Sequence, residues 1–75
     1  MENPTPYAHR HPAIQEVMQY FAVGHLPDNL AVVSLECQNL AKRMVDDLPD
    51  SPMLVNGLNR LLEAKDAFVR AALPR

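Results

Sequence analysis

Apolar side chains recur at helical spacing in three stretches of the chain, and proline-containing breaks separate them. The first stretch begins at Pro12, a residue that suits the first turn of a helix. It predicts a short helix over about 12–23, which Gly24 and Pro27 would end. The apolar positions of this helix are Ile14, Val17, Met18 and Phe21.

The second stretch predicts a helix over about 28–48. Asp28 or Asn29 can cap its start. Pro49 would end it near Asp47, because the residue before a proline disfavours helical geometry. Its apolar positions alternate three and four residues apart, as in the seam of a helix pair: Leu30, Val33, Cys37, Leu40 and Met44.

The third stretch predicts a helix over about 52–73, with Ser51 as its N-cap and Pro52 in its first turn. The seam spacing continues through Leu54, Leu58, Leu61, Phe68 and Ala72. Because only three or four residues connect the two long helices, we expect them to be antiparallel neighbours.

These elements predict an all-α protein with one domain. A 75-residue chain buries a small core and usually needs a disulfide, a metal or a partner. The single cysteine, Cys37, excludes an internal disulfide and a cysteine zinc site, and we expect it to be a buried core thiol. The predicted layout of the domain 1–75 is an extended arm (1–10), the short helix (12–23), and an antiparallel helical hairpin (28–48 and 52–73).

The apolar arc of the third helix is wider than one partner helix needs. A stripe of small residues, Gly57, Ala64 and Ala71, runs beside it at seven-residue spacing. The second helix adds Val32 and Leu35 on the side opposite its seam. Either the first helix covers this surface, or copies of the chain associate through it. We favour self-association into an oligomer.

Charge and composition narrow the possible partners. The net charge is −2 and the pI about 5.8, which disfavours binding to duplex nucleic acid. No apolar run approaches the roughly 18 residues that span a bilayer. The segment Met1–Arg10 is polar and proline-containing where a signal peptide would be apolar. We therefore expect a cytoplasmic protein that does not enter membranes.

The sequence offers little catalytic chemistry. It lacks a glycine-rich phosphate loop and the serine and metal signatures of hydrolases. The three imidazoles, His9, His11 and His25, have no carboxylate at ligand spacing, so no metal site is expected. We predict neither an enzyme nor a cofactor.

Four residues are candidates for binding an anionic ligand. Lys65 lies within the apolar arc of the third helix, where it either pairs with Glu36 or meets a ligand. Arg70 either pairs with Asp66 one turn away or binds a phosphate group through two hydrogen bonds. Tyr7 and Arg10 place an aromatic face beside a cation, as a nucleotide would need, unless the arm is merely disordered.

Residues 48–73, LPDSPMLVNGLNRLLEAKDAFVRAAL, are similar to the last helix and preceding turn of small phage proteins that sequester cyclic nucleotides. These are the anti-CBASS and Thoeris anti-defence sponges, which share a two-helix hairpin domain. The resemblance spans about 28–73 and is clearest in the LPD turn and the closing VRAAL.

The resemblance implies an oligomer, often a hexamer. It also implies pockets between protomers that bind cyclic di- or trinucleotides, or cyclic ADP-ribose-like signals, without cleaving them. Arg70 stands where an arginine of the family's closing motif contacts ligand in some members. Tyr7 loosely matches a base-stacking tyrosine, whereas Val32 stands near the place of a family lysine.

Three functions follow as hypotheses. The first is a host-cytoplasmic phage sponge for cyclic-nucleotide immune signals. The second is a small helical adaptor of a phage or bacterial complex, whose apolar stripe docks a partner helix. The third, a nucleic-acid-binding regulator, is the weakest because basic residues are sparse and scattered.

Overall fold

Three α-helices make up most of the structure, a computed structural model that describes residues 7–22 and 26–73. The helices are α1 (Pro12–Gln19), α2 (Asp28–Asp47) and α3 (Pro52–Ala72). These residues contain no strand, so the predicted all-α class is confirmed.

Helix α1 starts at the predicted proline but is shorter than predicted. It ends at Gln19, and the expected breaker Gly24 lies outside the described residues. After Gln19 the chain tightens through hydrogen bonds of the i to i−3 kind, from Tyr20 N–H to the Val17 carbonyl and from Phe21 N–H to the Met18 carbonyl. This turn leaves Phe21 completely buried.

The two long helices begin and end close to the predicted positions. Pro27, rather than Asp28 or Asn29, is the N-cap of α2, and no side chain caps this helix end. The end of α2 at Asp47 agrees with the prediction, since Leu48 before Pro49 is extended. Ser51 caps α3 as predicted, because its Oγ accepts a hydrogen bond of 3.0 Å from the Leu54 N–H. The expected breaker Pro74 lies outside the described residues.

The core lies where the three helices meet. Helix α2 packs against α3, and α1 also packs against α3. All three helices and the turn after α1 supply buried apolar side chains: Ile14, Val17, Met18, Phe21, Cys37, Ala41, Val45, Leu54 and Leu58. The predicted apolar face of the first helix is therefore its buried face, and Cys37 is confirmed as a buried, free thiol.

The end of the N-terminal arm is not extended. Residues 7–10 form a turn in which the Arg10 N–H donates to the Tyr7 carbonyl at 2.9 Å. Residues 1–6, the rest of the predicted arm, lie outside the described part of the chain. The turn brings both candidate residues of the arm onto the body of the protein.

Candidate functional site

The Arg10 side chain binds the end of α2 and the turn that follows it. Its Nε donates to Asp50 Oδ1 at 2.6 Å, its Nη1 to the Val45 carbonyl at 2.6 Å and its Nη2 to the Leu48 carbonyl at 2.8 Å. Carbonyls at a helix C-terminus lack partners within the helix, and the helix dipole favours a cation there. The Arg10 side chain is only 14% exposed, and each of its three guanidinium nitrogens donates a hydrogen bond within the protein.

Asp50 completes this arrangement from the connection between α2 and α3. Its Oδ2 accepts a hydrogen bond of 2.8 Å from the His11 N–H. The hydrogen bond from Arg10, followed by the one from His11, lowers the pKa of the Asp50 carboxyl. We call these contacts the Arg10–Asp50 clamp. They fix the start of α1 to the α2–α3 connection.

Tyr7 is half-buried and packs against the core. Burial raises the pKa of its phenol, the nearby Asp46 carboxylate raises it further, and Arg10 opposes both effects. The structure therefore brings Tyr7 and Arg10 together, as the sequence suggested. However, the Arg10 guanidinium donates its hydrogen bonds to Asp50, Val45 and Leu48, so it is not available to a ligand beside the Tyr7 ring.

Lys65 reaches the turn after α1 rather than Glu36. Its Nζ donates to the Tyr20 carbonyl at 2.5 Å and lies 5.7 Å from the centre of the Phe21 ring. The expected pair with Glu36 does not occur among the described residues. The turn after α1 offers a helix-end carbonyl and an aromatic face to the ammonium instead. Lys65 also lies near Cys37, and its charge opposes the rise that burial causes in the thiol pKa.

Arg70 is exposed near the end of α3. Its Nε lies 2.9 Å from Asp66 Oδ2, and 75% of the side chain is accessible. Five residues separate it from Lys65, about 140° around the helix, so the two cations lie on different faces of α3. The four candidate residues thus do not form one site within the described chain. Tyr7 and Arg10 are together, whereas Lys65 and Arg70 are apart.

A groove along α2 and α3 stays open to solvent. It consists of two neighbouring hollows, of about 540 and 290 Å³, that share Leu40 and Leu61. Phe68 and Met53 line its two parts and are 56% and 73% exposed. We call it the α2–α3 groove. Helix α1 does not cover it, so the interpretation that α1 hides all the surplus apolar surface is wrong for this face.

Two of the three small residues in the α3 stripe border this groove. Gly57 lines one hollow and Ala71 the other. A Cβ atom built on Gly57 would meet no atom within 4 Å, so no neighbour within the described protomer requires a glycine there. Space for a close partner is therefore present on the exposed side of the groove.

Sequence reasoning missed Asp50 as a partner of Arg10. Asp50 lies in the LPDSP segment, which marks the end of one helix and the cap of the next, and an acid in such a turn is a possible acceptor for a cation from the arm. It also missed a cleft between α1 and α2 that Gln15, Gln19, Gln38 and Lys42 line. The signal for that cleft was present in the four-residue spacing of these polar side chains.

Other kinds of site receive no support from the described residues. In the ranges 7–22 and 26–73, no group of three or more His, Cys, Asp or Glu side chains could hold a metal ion. No helix in this part of the chain has the length and apolar character needed to cross a membrane.

Comparison with known proteins adds no relative: no protein-family model, curated protein or solved structure matches the chain.

Proposed function

We propose that the protein is an anti-defence sponge, a homo-oligomer of helical hairpins that binds cyclic-nucleotide immune signals without cleaving them. The observation that carries the proposal is the open α2–α3 groove. It is an apolar surface that a 75-residue protomer leaves uncovered although its core is small. Burial of such a surface against further copies would stabilise the assembly.

The ligand class rests on the resemblance of residues 48–73 and on Arg70. Among the described residues, Arg70 is held by one exposed carboxylate only, that of Asp66. An exposed pair of this kind is worth no more than about 1 kcal/mol, so a phosphate group can displace the carboxylate at little cost. Arg10 and Lys65 would have to leave contacts inside the protomer first. Arg70 is therefore the primary ligand contact of the proposal.

Arg70 and Phe68 are two residues apart on α3, about 200° around the helix. An interface through the groove and a ligand contact at Arg70 therefore use opposite faces of the same helix. In an oligomer with more than one kind of contact, each copy of α3 would face one neighbour with Phe68 and another with Arg70.

Calorimetry tests the proposal directly. Titration with a panel of cyclic dinucleotides, cyclic trinucleotides and cyclic ADP-ribose isomers is expected to give saturable heat with at least one of them. The recovered ligand should be chemically intact. Arg70→Ala is expected to abolish the heat and to leave the sedimentation coefficient unchanged.

Arg60→Ala is the matched control. Arg60 is also exposed on α3 and paired with one nearby acid, Glu63, at 3.2 Å. Its loss is expected to leave ligand binding intact. Absence of heat with every ligand at micromolar protein would overturn the proposed function.

A helical adaptor is the second candidate. Its support is that Arg10 and Lys65 are engaged within the protomer, whereas the α2–α3 groove is free to take a partner helix. A chain that sediments as a monomer or dimer, binds no cyclic nucleotide and captures one defined protein would favour the adaptor.

A further inference from the structure

A second cleft, distinct from the α2–α3 groove, lies between α1 and α2 and has a volume of about 520 Å³. On α2, Gln38 and Lys42 line this cleft, whereas Leu40 lines the α2–α3 groove. Leu40 and Gln38 are two residues apart, about 200° around the helix. The cleft therefore opens on another side of the protomer, and its volume is within the range of small-molecule sites.

The lining of this cleft combines apolar surface with hydrogen-bonding groups. Tyr7, Met18 and Ala22 supply the apolar part, and Met18 is almost fully buried. The polar part consists of three glutamines, one acid and one cation: Gln15, Gln19, Gln38, Glu16 and Lys42. Surfaces of this kind bind flat rings on the apolar part and orient them through the polar groups.

The polar groups are available to a ligand. The Gln15 amide nitrogen donates to the Arg10 carbonyl at 2.8 Å, which orients this side chain and leaves its carbonyl oxygen as an acceptor. Lys42 takes part in none of the ion pairs between described residues. A fixed acceptor and a free ammonium thus line the same cleft.

We propose that this cleft binds a purine mononucleotide. The apolar part would hold the ring, and the Gln15 oxygen would accept a hydrogen bond from an exocyclic amine. Lys42, the only cation among the lining residues that the structure describes, would bind one phosphate group. The Glu16 carboxylate can accept hydrogen bonds from the ribose hydroxyls. One cation beside one acid suits a single phosphate rather than a triphosphate.

This inference goes beyond the proposed function, because the lining comes from one protomer and requires no neighbour. It also makes no use of Arg70. Loss of the cyclic-nucleotide site and loss of the mononucleotide site would therefore be separate experimental results.

The test is a titration of the full chain with AMP, followed by NMR of methionine methyl groups labelled with ¹³C. Met18 lines the cleft, whereas Met53 lines the α2–α3 groove and is the internal control. We expect the Met18 methyl signal to shift with saturation and the Met53 signal to stay in place. No shift of Met18 at millimolar AMP, or an equal shift of both signals, would overturn the proposal.

Two variants separate the parts of the site. Lys42→Gln is expected to weaken AMP binding about two- to fivefold, as for an exposed ion pair, and to leave adenosine binding unchanged. Arg70→Ala is expected to leave AMP binding unchanged. AMP binding that survives Lys42→Gln at full strength, or that is lost in Arg70→Ala, would place the ligand elsewhere and contradict the inference.

Discussion

Ser34 is fully buried in α2, and its hydroxyl has no hydrogen-bond partner in the described structure. A buried hydroxyl without a partner costs about 1–3 kcal/mol, and alanine is also the better helix former. Ser34→Ala is therefore expected to stabilise the fold by about 1 kcal/mol, or several degrees in Tm for a domain of this size. Thermal unfolding followed by circular dichroism measures the change.

Ser51→Ala is the matched control with the opposite sign. This hydroxyl accepts the Leu54 N–H at the start of α3, and loss of an N-cap costs about 1 kcal/mol. The same substitution should thus raise Tm at position 34 and lower it at position 51. A lower Tm for Ser34→Ala would mean that its hydroxyl has a partner.

The lowered pKa of the Asp50 carboxyl makes the stability of the fold depend on pH. Because its pKa is lowered in the folded protein, it binds protons less readily there than in the unfolded chain. Its stabilising contribution is complete above the ordinary aspartate pKa of about 3.9 and is lost as pH falls through the lower folded value. Asp50→Asn should accordingly lower Tm at neutral pH.

Melting curves from pH 7 to pH 2 provide the measurement. The difference in Tm between the parent and Asp50→Asn should narrow below about pH 4. Asp66→Asn is the control, because the Asp66–Arg70 pair is exposed and its loss should change Tm little at any pH. A gap that widens on acidification would contradict the role assigned to the Arg10–Asp50 clamp.

At the scale of elements, the sequence predicts those helix boundaries that residues next to the boundary determine. The start of α3 follows from Ser51 and Pro52, and the end of α2 follows from Pro49. The end of α1 does not follow from neighbouring residues, because the helix ends at Gln19, five residues before Gly24, in a tight turn that buries Phe21. Tertiary packing decides that boundary.

The candidate residues show the same difference between local contacts, which the sequence predicts, and long-range contacts, which it does not. The Arg70–Asp66 pair is visible in the sequence, since its members are one helical turn apart. The partners of the Arg10 side chain are 35 to 40 residues away, and that of Lys65 is 45 residues away. Two of the three Arg10 partners, and the Lys65 partner, are backbone carbonyls. Every residue type offers a carbonyl, so no sequence pattern marks these acceptors.

Gly57 provides a prediction for α3. It occupies an exposed helix interior with open space around its Cα, so Gly57→Ala should stabilise the protomer by about 0.5–1 kcal/mol. If another helix approaches closely over this position, the added methyl group should also weaken self-association. We expect a higher Tm together with weaker association in sedimentation experiments.

Ala64→Gly, in the same stripe, should lower Tm by a similar amount and serves as the control. A lower Tm for Gly57→Ala would show that the space beside Gly57 is filled.

At the scale of the whole molecule, we expect the α2–α3 groove to determine whether protomers associate. Phe68→Glu places a charge on a residue that is already more than half exposed, so the protomer should remain folded. A charge at an apolar interface is costly, so association through that interface should be lost. Sedimentation is expected to show a species smaller than the parent oligomer, and the 8.4 kDa monomer where the groove is the one interface.

Leu35→Glu is the control for the other side of α2. Leu35 belongs to the second surface that the sequence offers for association. It is also exposed but does not line the groove, so this change should leave the groove interface intact. A parent chain that is already monomeric when dilute, or a Phe68→Glu variant that sediments like the parent, would exclude the groove as the interface.

The Arg10–Asp50 clamp also bears on how the chain folds. The ends of α2 and α3 that meet near Asp50 are close in sequence, whereas the clamp closes a loop of 40 residues. Contacts that close long loops form late, after the entropy of closure has been offset by local packing. The clamp is then largely absent from the transition state and acts on the rate of unfolding more than on the rate of folding. Polar contacts near the N-terminus would thus lengthen the lifetime of the folded state by slowing its unfolding.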